Sequence, residues 1–105
     1  MNYEVVWSDF ATEELGNLHS YYCSIGSESI ANRIVLNIVK LTILLKYSPY
    51  IGPIEPLLKR SLVEYRYLVK GKHKIIYSVD ESQKQIRIAD VFDTRQNPIK
   101  INRSE

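Results

Sequence analysis

Three consecutive segments in the second half of the chain alternate in side-chain character with a period of two. They cover residues 63–70, 72–79 and 86–92, and short turns, the first at Gly71, separate them. Because successive side chains of a β-strand point to opposite faces of a sheet, this alternation predicts three strands. The turns are short, so the strands should pair as an antiparallel meander.

Two helices are predicted before these strands. A short segment rich in β-branched and aromatic residues, 3–7, reads as a first strand, and Ser8 after it offers a helix N-cap. Apolar residues then recur at spacings of three and four, as on one face of a helix. They are Ala11, Leu15, Leu18, Tyr22 and Ile25. Gly26 should end this helix, and Ser27 can cap a second one over about residues 28–46.

The second helix is the most apolar part of the chain. From Ile30 to Leu45, eleven of sixteen residues are apolar, and the polar stripe formed by Arg33, Asn37 and Lys40 is narrow. Polar positions inside the run argue against a membrane span. Two interpretations remain open, and they are compatible. The helix is buried between the first helix and the sheet, or a partner covers part of it.

The order strand, helix, helix, strand, strand, strand predicts one α+β domain over residues 1–105. In this fold a helical hairpin packs on one face of an antiparallel sheet, and the other face stays partly open. Residues 48–56, rich in proline and glycine, must form the loop between the second helix and the sheet.

Composition and charge exclude several classes of protein. The single cysteine, Cys23, cannot form an intramolecular disulfide, and the N-terminal residues resemble no export signal, so a cytoplasmic protein is expected. One cysteine and two distant histidines cannot assemble a zinc-type ligand set from neighbours, and no cofactor is expected. The net charge of +2 does not by itself indicate nucleic-acid binding. Six basic residues do concentrate in segment 59–74, which a solvated basic hairpin would explain.

The strand region resembles a known family. Residues 63–80 read VEYRYLVKGKHKIIYSVD, and they are similar to the central hairpin of the RelE/ParE toxins. In that hairpin a Tyr-Arg strand, a short turn and a Lys/Arg-Ile-Ile-Tyr strand follow one another. Residues 86–98 read IRIADVFDTRQNP and resemble the family's closing strand, which ends near an arginine. The N-terminal strand and helical hairpin match in pattern.

The resemblance implies the toxin of a bacterial type II toxin–antitoxin pair, silenced by a cognate antitoxin that wraps it. RelE-like toxins enter the ribosomal A site and cleave mRNA without a metal, whereas ParE-like toxins poison DNA gyrase. We expect the ParE-like mechanism. The alternatives are a RelE-like ribosome-dependent endoribonuclease and a degenerate toxin that survives as an interaction module.

Metal-free RNA cleavage needs a base, cations that stabilise the phosphorane charge, and a proton donor. If the chain is RelE-like, the resemblance assigns the cationic, catalytic positions to Arg66, Lys74 and Arg95. The second basic site of the first hairpin strand falls on Leu68, which carries no charge. No Tyr or His follows Tyr77 to act as the C-terminal acid or base. These departures favour the ParE-like mechanism.

Each candidate residue also has a structural interpretation. Arg66 can form a cross-strand pair with an acid such as Glu64 or Asp90, and Arg95 can form a salt bridge to Asp90 or Asp93. Arg95 should lie on a turn at the rim of the sheet, able to project toward the open face with Arg66 and Lys74. His73 should face the helices or lie at an edge.

The remaining nucleophilic and aromatic side chains are expected in the core. Cys23 should be a small buried side chain, since no base near it is identifiable. Tyr65, Tyr67 and Tyr77 occupy apolar positions of the alternation, where tyrosines more often pack than react.

Overall fold

A computed structural model describes residues 2–95 of the chain. Its helices and strands are β1 (Glu4–Trp7), α1 (Asp9–Ile25), α2 (Glu28–Ile43), β2 (Tyr65–Lys70), β3 (His73–Asp80) and β4 (Gln85–Asp93). Two short 3₁₀ turns, Leu44–Lys46 and Pro56–Leu58, lie between α2 and β2. The predicted order and α+β class are confirmed. The tail from Gln96 to Pro98 and both ends of the predicted 1–105 domain lie outside the described residues.

The predicted helix ends are set by side-chain caps. The Ser8 hydroxyl accepts a hydrogen bond from the Ala11 N–H at 3.0 Å, and the Ser27 hydroxyl accepts one from the Ile30 N–H at 3.1 Å. Each cap satisfies an N–H group that the first helical turn leaves unpaired. At the C-terminal end of α1, the Gly26 N–H donates to Tyr22 O at 3.0 Å. The predicted second helix is regular only to Ile43 and then tightens into the 3₁₀ turn.

The strands form one sheet in the order β1-β4-β3-β2. The predicted antiparallel meander of β2, β3 and β4 is confirmed. The prediction of a wholly antiparallel sheet is wrong for the first strand. β1 pairs in parallel with β4, and the sheet is therefore mixed. Parallel neighbours need a long crossover, which the two helices and the first two meander strands supply here.

The helices cover one face of the sheet. Side chains of α1, α2, β3 and β4 form the main core there, and its fully buried members include Ala11, Ile38, Ile75, Tyr77 and Ile88. The second face is smaller and partly covered. Leu58, from the segment between α2 and β2, packs there in a second cluster with Tyr65, Ile76, Ala89 and Phe92.

Burial of the second helix inside the domain is confirmed for one side of α2, and the other side leaves apolar residues exposed. Ala31, Ile38 and Thr42 are buried, whereas Leu36 and Ile43 are about half exposed, at 51% and 45%. The α1 and α2 helices pack against each other and α1 against β4, so the buried side faces the domain interior. Within residues 2–95, no helix has the length and apolarity needed to cross a membrane.

Candidate functional site

The sheet register separates two of the three predicted cations. Residues directly opposite each other in an antiparallel pair share a face. Arg66 lies opposite Tyr77, whose ring is part of the helix-side core. Lys74 lies opposite Phe92, which belongs to the cluster on the second face. Arg66 and Lys74 are therefore on opposite faces, and the predicted convergence of the three cations on the open face is wrong.

Arg66 is bound to the segment that precedes its strand. Its Nη1 donates to Gly52 O at 2.8 Å and to Tyr50 O at 3.3 Å, and its guanidinium lies 5.1 Å from the centre of the Tyr50 ring. Its Nη2 pairs with Glu64 at 3.3 Å, which is one of the acids predicted for it. The two bonds to carbonyl oxygens fix the backbone at Tyr50 and Gly52, so Arg66 holds this loop.

Lys74 forms a nearly buried ion pair. Its Nζ lies 2.5 Å from Glu55 Oε1 and 4.3 Å from the centre of the Tyr67 ring. The Glu55 side chain is completely buried, and only 19% of the Lys74 side chain is exposed. The second Glu55 oxygen accepts the Leu57 N–H at 3.0 Å and so caps the 3₁₀ turn. The positive charge of Lys74 is thus neutralised inside the protein.

Arg95 pairs with Asp93 through three hydrogen bonds. Its backbone N–H and Nε donate to Asp93 Oδ1 at 2.8 and 3.3 Å, and its Nη2 donates to Oδ2 at 3.1 Å. Burial of Asp93 opposes its ionisation, but the Arg95 hydrogen bonds outweigh that effect and hold the pKa of Asp93 below its usual value. Arg95 itself stays 58% exposed. This is the paired geometry predicted for a structural arginine.

Asp93 also belongs to a buried group with His73 and Tyr22. The Tyr22 hydroxyl lies 2.9 Å from His73 Nε2 and 3.3 Å from Asp93 Oδ2, where it donates. Burial lowers the pKa of His73 and raises the pKa of Tyr22. His73 faces α1, as predicted. Sequence reasoning missed the group, since nothing in the sequence links residue 22 to residues 73 and 93.

This buried group is an acid and base pair without access to a substrate. His73 and Tyr22 are each only 5% exposed. A general acid or base must come within hydrogen-bond reach of the reacting atom. Along β2, about 13 Å of strand separates Arg66 from Lys70, the residue opposite His73.

Arg95 pairs with Asp93, which lies opposite His73 on the other side of β3, so Arg95 is also far from Arg66. Lys74 lies on the other face of the sheet, and neither of these predicted cations is therefore next to Arg66.

The predictions for Leu68 and Cys23 can also be compared with the structure. Leu68, the uncharged position, is half-buried and packs against the helix-side core. Cys23 is also half-buried, but the prediction that no base lies near it is wrong: its Sγ lies 3.7 Å from His19 Nδ1. The other ring nitrogen of His19 is 2.7 Å from Asn32 Oδ1. The four-residue spacing of His19 and Cys23 on one helix was the signal that would have found this contact.

The segment between α2 and β2, residues 47–64, is called the connecting segment below. It is anchored at its start by two tyrosines. The Tyr77 hydroxyl accepts the Gly52 N–H at 3.0 Å and donates to Pro49 O at 2.8 Å. The Tyr50 hydroxyl donates to Glu81 in the β3–β4 turn, and Glu81 also accepts from Tyr3 and Lys84. These donors, with Lys84 the largest influence, lower the pKa of Glu81 to about 2.

One side of α2 presents an apolar strip beside basic residues. Leu36, Lys40, Ile43 and Leu44 recur at helical spacing and are all exposed, and we call these four residues the helix surface. Lys40 and Leu44 also line a surface cavity of about 300 Å³ between α2 and β2, where Lys70 completes the rim. Apolar residues with flanking cations suit a segment that carries apolar and acidic side chains.

No group of three or more metal-ligating side chains occurs in residues 2–95. The geometry of this part of the chain therefore offers surfaces for binding and a buried polar group, and the predicted cationic residues are engaged in structural contacts.

Comparison with known structures gives the same fold. The ParDE toxin–antitoxin system of P. aeruginosa superposes with a TM-score of 0.72 at 18% identity, over 87% of this chain and 95% of that one. A RelBE toxin–antitoxin complex from Mycobacterium tuberculosis gives 0.67 at 19% identity, over 89% and 99%. An archaeal RelE–RelB complex from Pyrococcus horikoshii gives 0.59 at 17% identity, over 92% and 100%. At these identities the likeness establishes the fold.

Comparison of the sequence with curated proteins finds no match. A family model does match, and its description is the ParE toxin of the type II toxin–antitoxin system, parDE. The match runs over residues 5–98, which include both helices, β2 to β4 and all of β1 except Glu4. The chain therefore belongs to the ParE toxin family, within the RelE/ParE superfamily of type II toxin–antitoxin toxins.

Proposed function

We propose that this toxin arrests growth by poisoning DNA gyrase in the cytoplasm, and that a cognate antitoxin neutralises it by covering the helix surface. The observation that carries the choice of mechanism is the engagement of the three candidate cations. Arg66 holds the connecting segment, Lys74 neutralises buried Glu55, and Arg95 pairs with Asp93.

Metal-free phosphoryl transfer needs several cationic groups aimed at the position of one phosphorane. Two of the candidate cations lie on opposite faces of the sheet, and the third is bound at the end of β4. The nearest acid and base pair, Tyr22 and His73, is closed to a substrate. This arrangement supports a toxin that acts by binding a protein and speaks against an RNA-cleaving site.

The antitoxin part of the proposal rests on the helix surface and on the structural relatives, which are toxin–antitoxin complexes. Leu44 is 57% exposed and Leu36 51% exposed, beside Lys40 and Lys70. Exposed apolar strips of this kind mark binding sites, and an amphipathic antitoxin segment with acidic residues would cover this one.

The mechanism is tested with purified toxin, gyrase and supercoiled plasmid. We expect linear DNA to accumulate when the reaction is stopped with detergent and protease, because a poisoned gyrase is trapped on cleaved DNA. Antitoxin added before the toxin should prevent the accumulation. Gyrase alone and toxin alone serve as controls.

A parallel reaction uses programmed ribosomes and a defined mRNA. We expect intact mRNA, because the cations do not converge. Cuts in the A-site codon together with unbroken plasmid would overturn the gyrase proposal and assign the toxin to the endoribonucleases. Absence of both effects, in a protein that causes no growth arrest, would indicate a degenerate toxin.

A further inference from the structure

A second exposed apolar surface lies on the connecting segment, away from the helix surface. Ile54 and Val63 are 44% and 42% exposed, Leu57 is 74% exposed, and Leu62 is completely exposed. Lys59 and Arg60 are exposed between them. We call these six residues the loop surface. Single exposed apolar residues are ordinary, but a contiguous group of this kind is typical of interaction sites.

Four of the six residues of the loop surface line a cavity of about 340 Å³. Leu58 and Tyr65, both buried, form part of its lining, and Ile54, Leu62, Val63 and Lys59 contribute from the exposed side. Ser61 and Glu64 complete the lining, which is apolar for five of its eight residues, so the cavity can take one large apolar side chain of a partner beside the Lys59 cation. Such anchor residues, seated in a pocket, contribute most of the binding energy of many protein interfaces.

The connecting segment holds this surface in one conformation. It runs along the edge strand β2, where the Glu55 N–H donates to Tyr65 O at 2.8 Å and the Tyr67 N–H donates to Pro53 O at 3.1 Å. Further along, the Leu58 N–H donates to Glu55 O and the Ser61 N–H to Leu58 O. The surface is therefore built on fixed backbone, and binding would order little additional chain.

The buried pair of Glu55 and Lys74 also holds the backbone of the loop surface in place. Taking a carboxylate completely out of water carries a large desolvation cost, and a buried ion pair is often less stabilising than apolar residues of similar volume. Here the pair fixes the turn at Pro56–Leu58, because Glu55 accepts the Leu57 N–H as well as binding Lys74. That turn carries Leu57 on its outer side and Leu58 on its inner side.

The two surfaces are on different sides of the molecule. Leu58 packs with Ile76 and Phe92 on the second face of the sheet, whereas α2 packs on the helix side. One partner segment on the helix surface therefore leaves the loop surface for another partner.

We infer that the loop surface binds the protein target of the toxin. The target would place one apolar side chain in the cavity and carboxylates opposite Lys59 and Arg60. The inference rests on the proposed function, since it takes the target to be a protein rather than RNA.

Charge favours this occupant over two others. A two-fold contact between copies of the chain would bring the Lys59 and Arg60 of both copies together, where like charges repel. A nucleic-acid backbone would be met by two cations among four exposed apolar side chains, which phosphates do not contact favourably. The two-fold contact leaves the cations without partners and the nucleic-acid backbone leaves the apolar residues unused, whereas an acidic, apolar protein surface uses both kinds of side chain.

The test is Leu62→Asp in the full-length toxin, compared with Ile25→Asp. The side chains of Leu62 and Ile25 are both exposed, and Ile25, at the end of α1, lies outside the helix surface and the loop surface. We expect Leu62→Asp to abolish growth arrest on induction and to weaken binding to purified gyrase by about tenfold or more, as loss of an interface anchor does. Its melting temperature and its affinity for the antitoxin should equal those of wild type. Ile25→Asp should behave as wild type throughout.

A second variant, Lys59→Glu with Arg60→Glu, tests the charges. We expect weaker gyrase binding and a loss of its dependence on salt concentration. Full growth arrest in a stably folded Leu62→Asp variant would overturn the inference. So would loss of antitoxin affinity with unchanged gyrase binding, because the loop surface would then belong to the antitoxin.

The remaining outcomes separate this inference from the proposed function. If wild type arrests growth without binding gyrase, the gyrase proposal fails, and loss of arrest in Leu62→Asp alone still supports a protein target at the loop surface. If wild type causes no arrest, both fail. Dimerisation that Leu62→Asp abolishes, or duplex DNA binding that only the Lys59 and Arg60 changes abolish, would overturn the inference in favour of that occupant.

Discussion

Gly52 occupies a position where no side chain fits. A Cβ atom there would lie 2.3 Å from Tyr67 O and 2.8 Å from the Tyr77 hydroxyl, and the first of these is backbone that cannot rotate away. We expect Gly52→Ala to lower the free energy of unfolding by about 1 to 3 kcal/mol, the usual cost of forcing an extra methyl group into a packed site. Urea denaturation measures the change.

The matched control is Gly16→Ala. Gly16 lies in α1 with nothing within 4 Å of its added Cβ, so alanine should raise stability by about 0.5 to 1 kcal/mol through helix propensity. Equal stabilities of wild type and Gly52→Ala would show that the connecting segment can move away from β2.

Lys74 gives a second prediction at a single residue. Lys74→Met removes the cation from completely buried Glu55, and an uncompensated buried charge costs about 3 to 5 kcal/mol. The double variant Lys74→Met, Glu55→Gln removes both charges and should recover much of that loss. Both are measured by urea denaturation at pH 7. A Lys74→Met protein of wild-type stability would free Lys74 for a role in binding RNA.

Residue contacts were predictable from the sequence where they are local. Arg95 with Asp93 and Arg66 with Glu64 are separated by two positions, and both pairings were among the structural interpretations. Lys74 with Glu55 was not predictable, because the acid lies in an irregular segment whose path depends on long-range contacts. The same holds for Tyr22 and His73, which are 51 residues apart.

Glu81 links the connecting segment and Tyr3, the residue before β1, to the β3–β4 turn. Hydrogen bonds from Lys84, Tyr50 and Tyr3 lower its pKa to about 2 from 4.5. A carboxylate whose pKa is depressed on folding stabilises the protein above its unfolded pKa, and this stabilisation is lost as the pH falls through the folded value. The loss should therefore occur between pH 4.5 and about 2.

We expect Glu81→Gln to flatten the acid side of the stability curve. Between pH 4.5 and 2 the melting temperature of wild type should fall more steeply than that of the variant, because glutamine does not titrate. The variant should already be less stable at pH 7. Parallel curves for the two proteins would show that the Glu81 contacts do not stabilise the fold. Glu13→Gln, at an exposed position of α1, serves as a control because it removes a carboxylate and leaves the Glu81 contacts intact.

The elements themselves followed from local signals. The alternation predicted β2, β3 and β4, and Ser8, Gly26 and Ser27 set the helix ends where the structure has them. The parallel pairing of β1 with β4 could not be predicted from the sequence, because a strand of four residues contains no pattern that identifies the strand beside it. The convergence of Arg66 and Lys74 failed for a related reason: alternation gives the two faces within one strand, but only the register between strands tells which residues share a face.

We propose that the toxin is a small domain with two binding surfaces on different sides of the sheet. The surface on α2 would bind the antitoxin, and the surface on the connecting segment would bind the target. Binding to the folded state alone stabilises a protein in proportion to the logarithm of the ligand concentration over Kd. The antitoxin should therefore act as a stabilising ligand of the entire fold.

The antitoxin at a free concentration of 100 Kd should raise the free energy of unfolding by about 2.7 kcal/mol, and the melting temperature should rise further as its concentration increases. Leu44→Asp places a charge in the helix surface, where Leu44 is 57% exposed, so the variant should fold as wild type but gain much less from the antitoxin. Leu62→Asp should gain as much as wild type, because it lies on the loop surface. Thermal unfolding at several antitoxin concentrations measures all three proteins. An equal gain for Leu44→Asp and wild type would move the antitoxin away from α2, and a loss confined to Leu62→Asp would exchange the partners of the two surfaces.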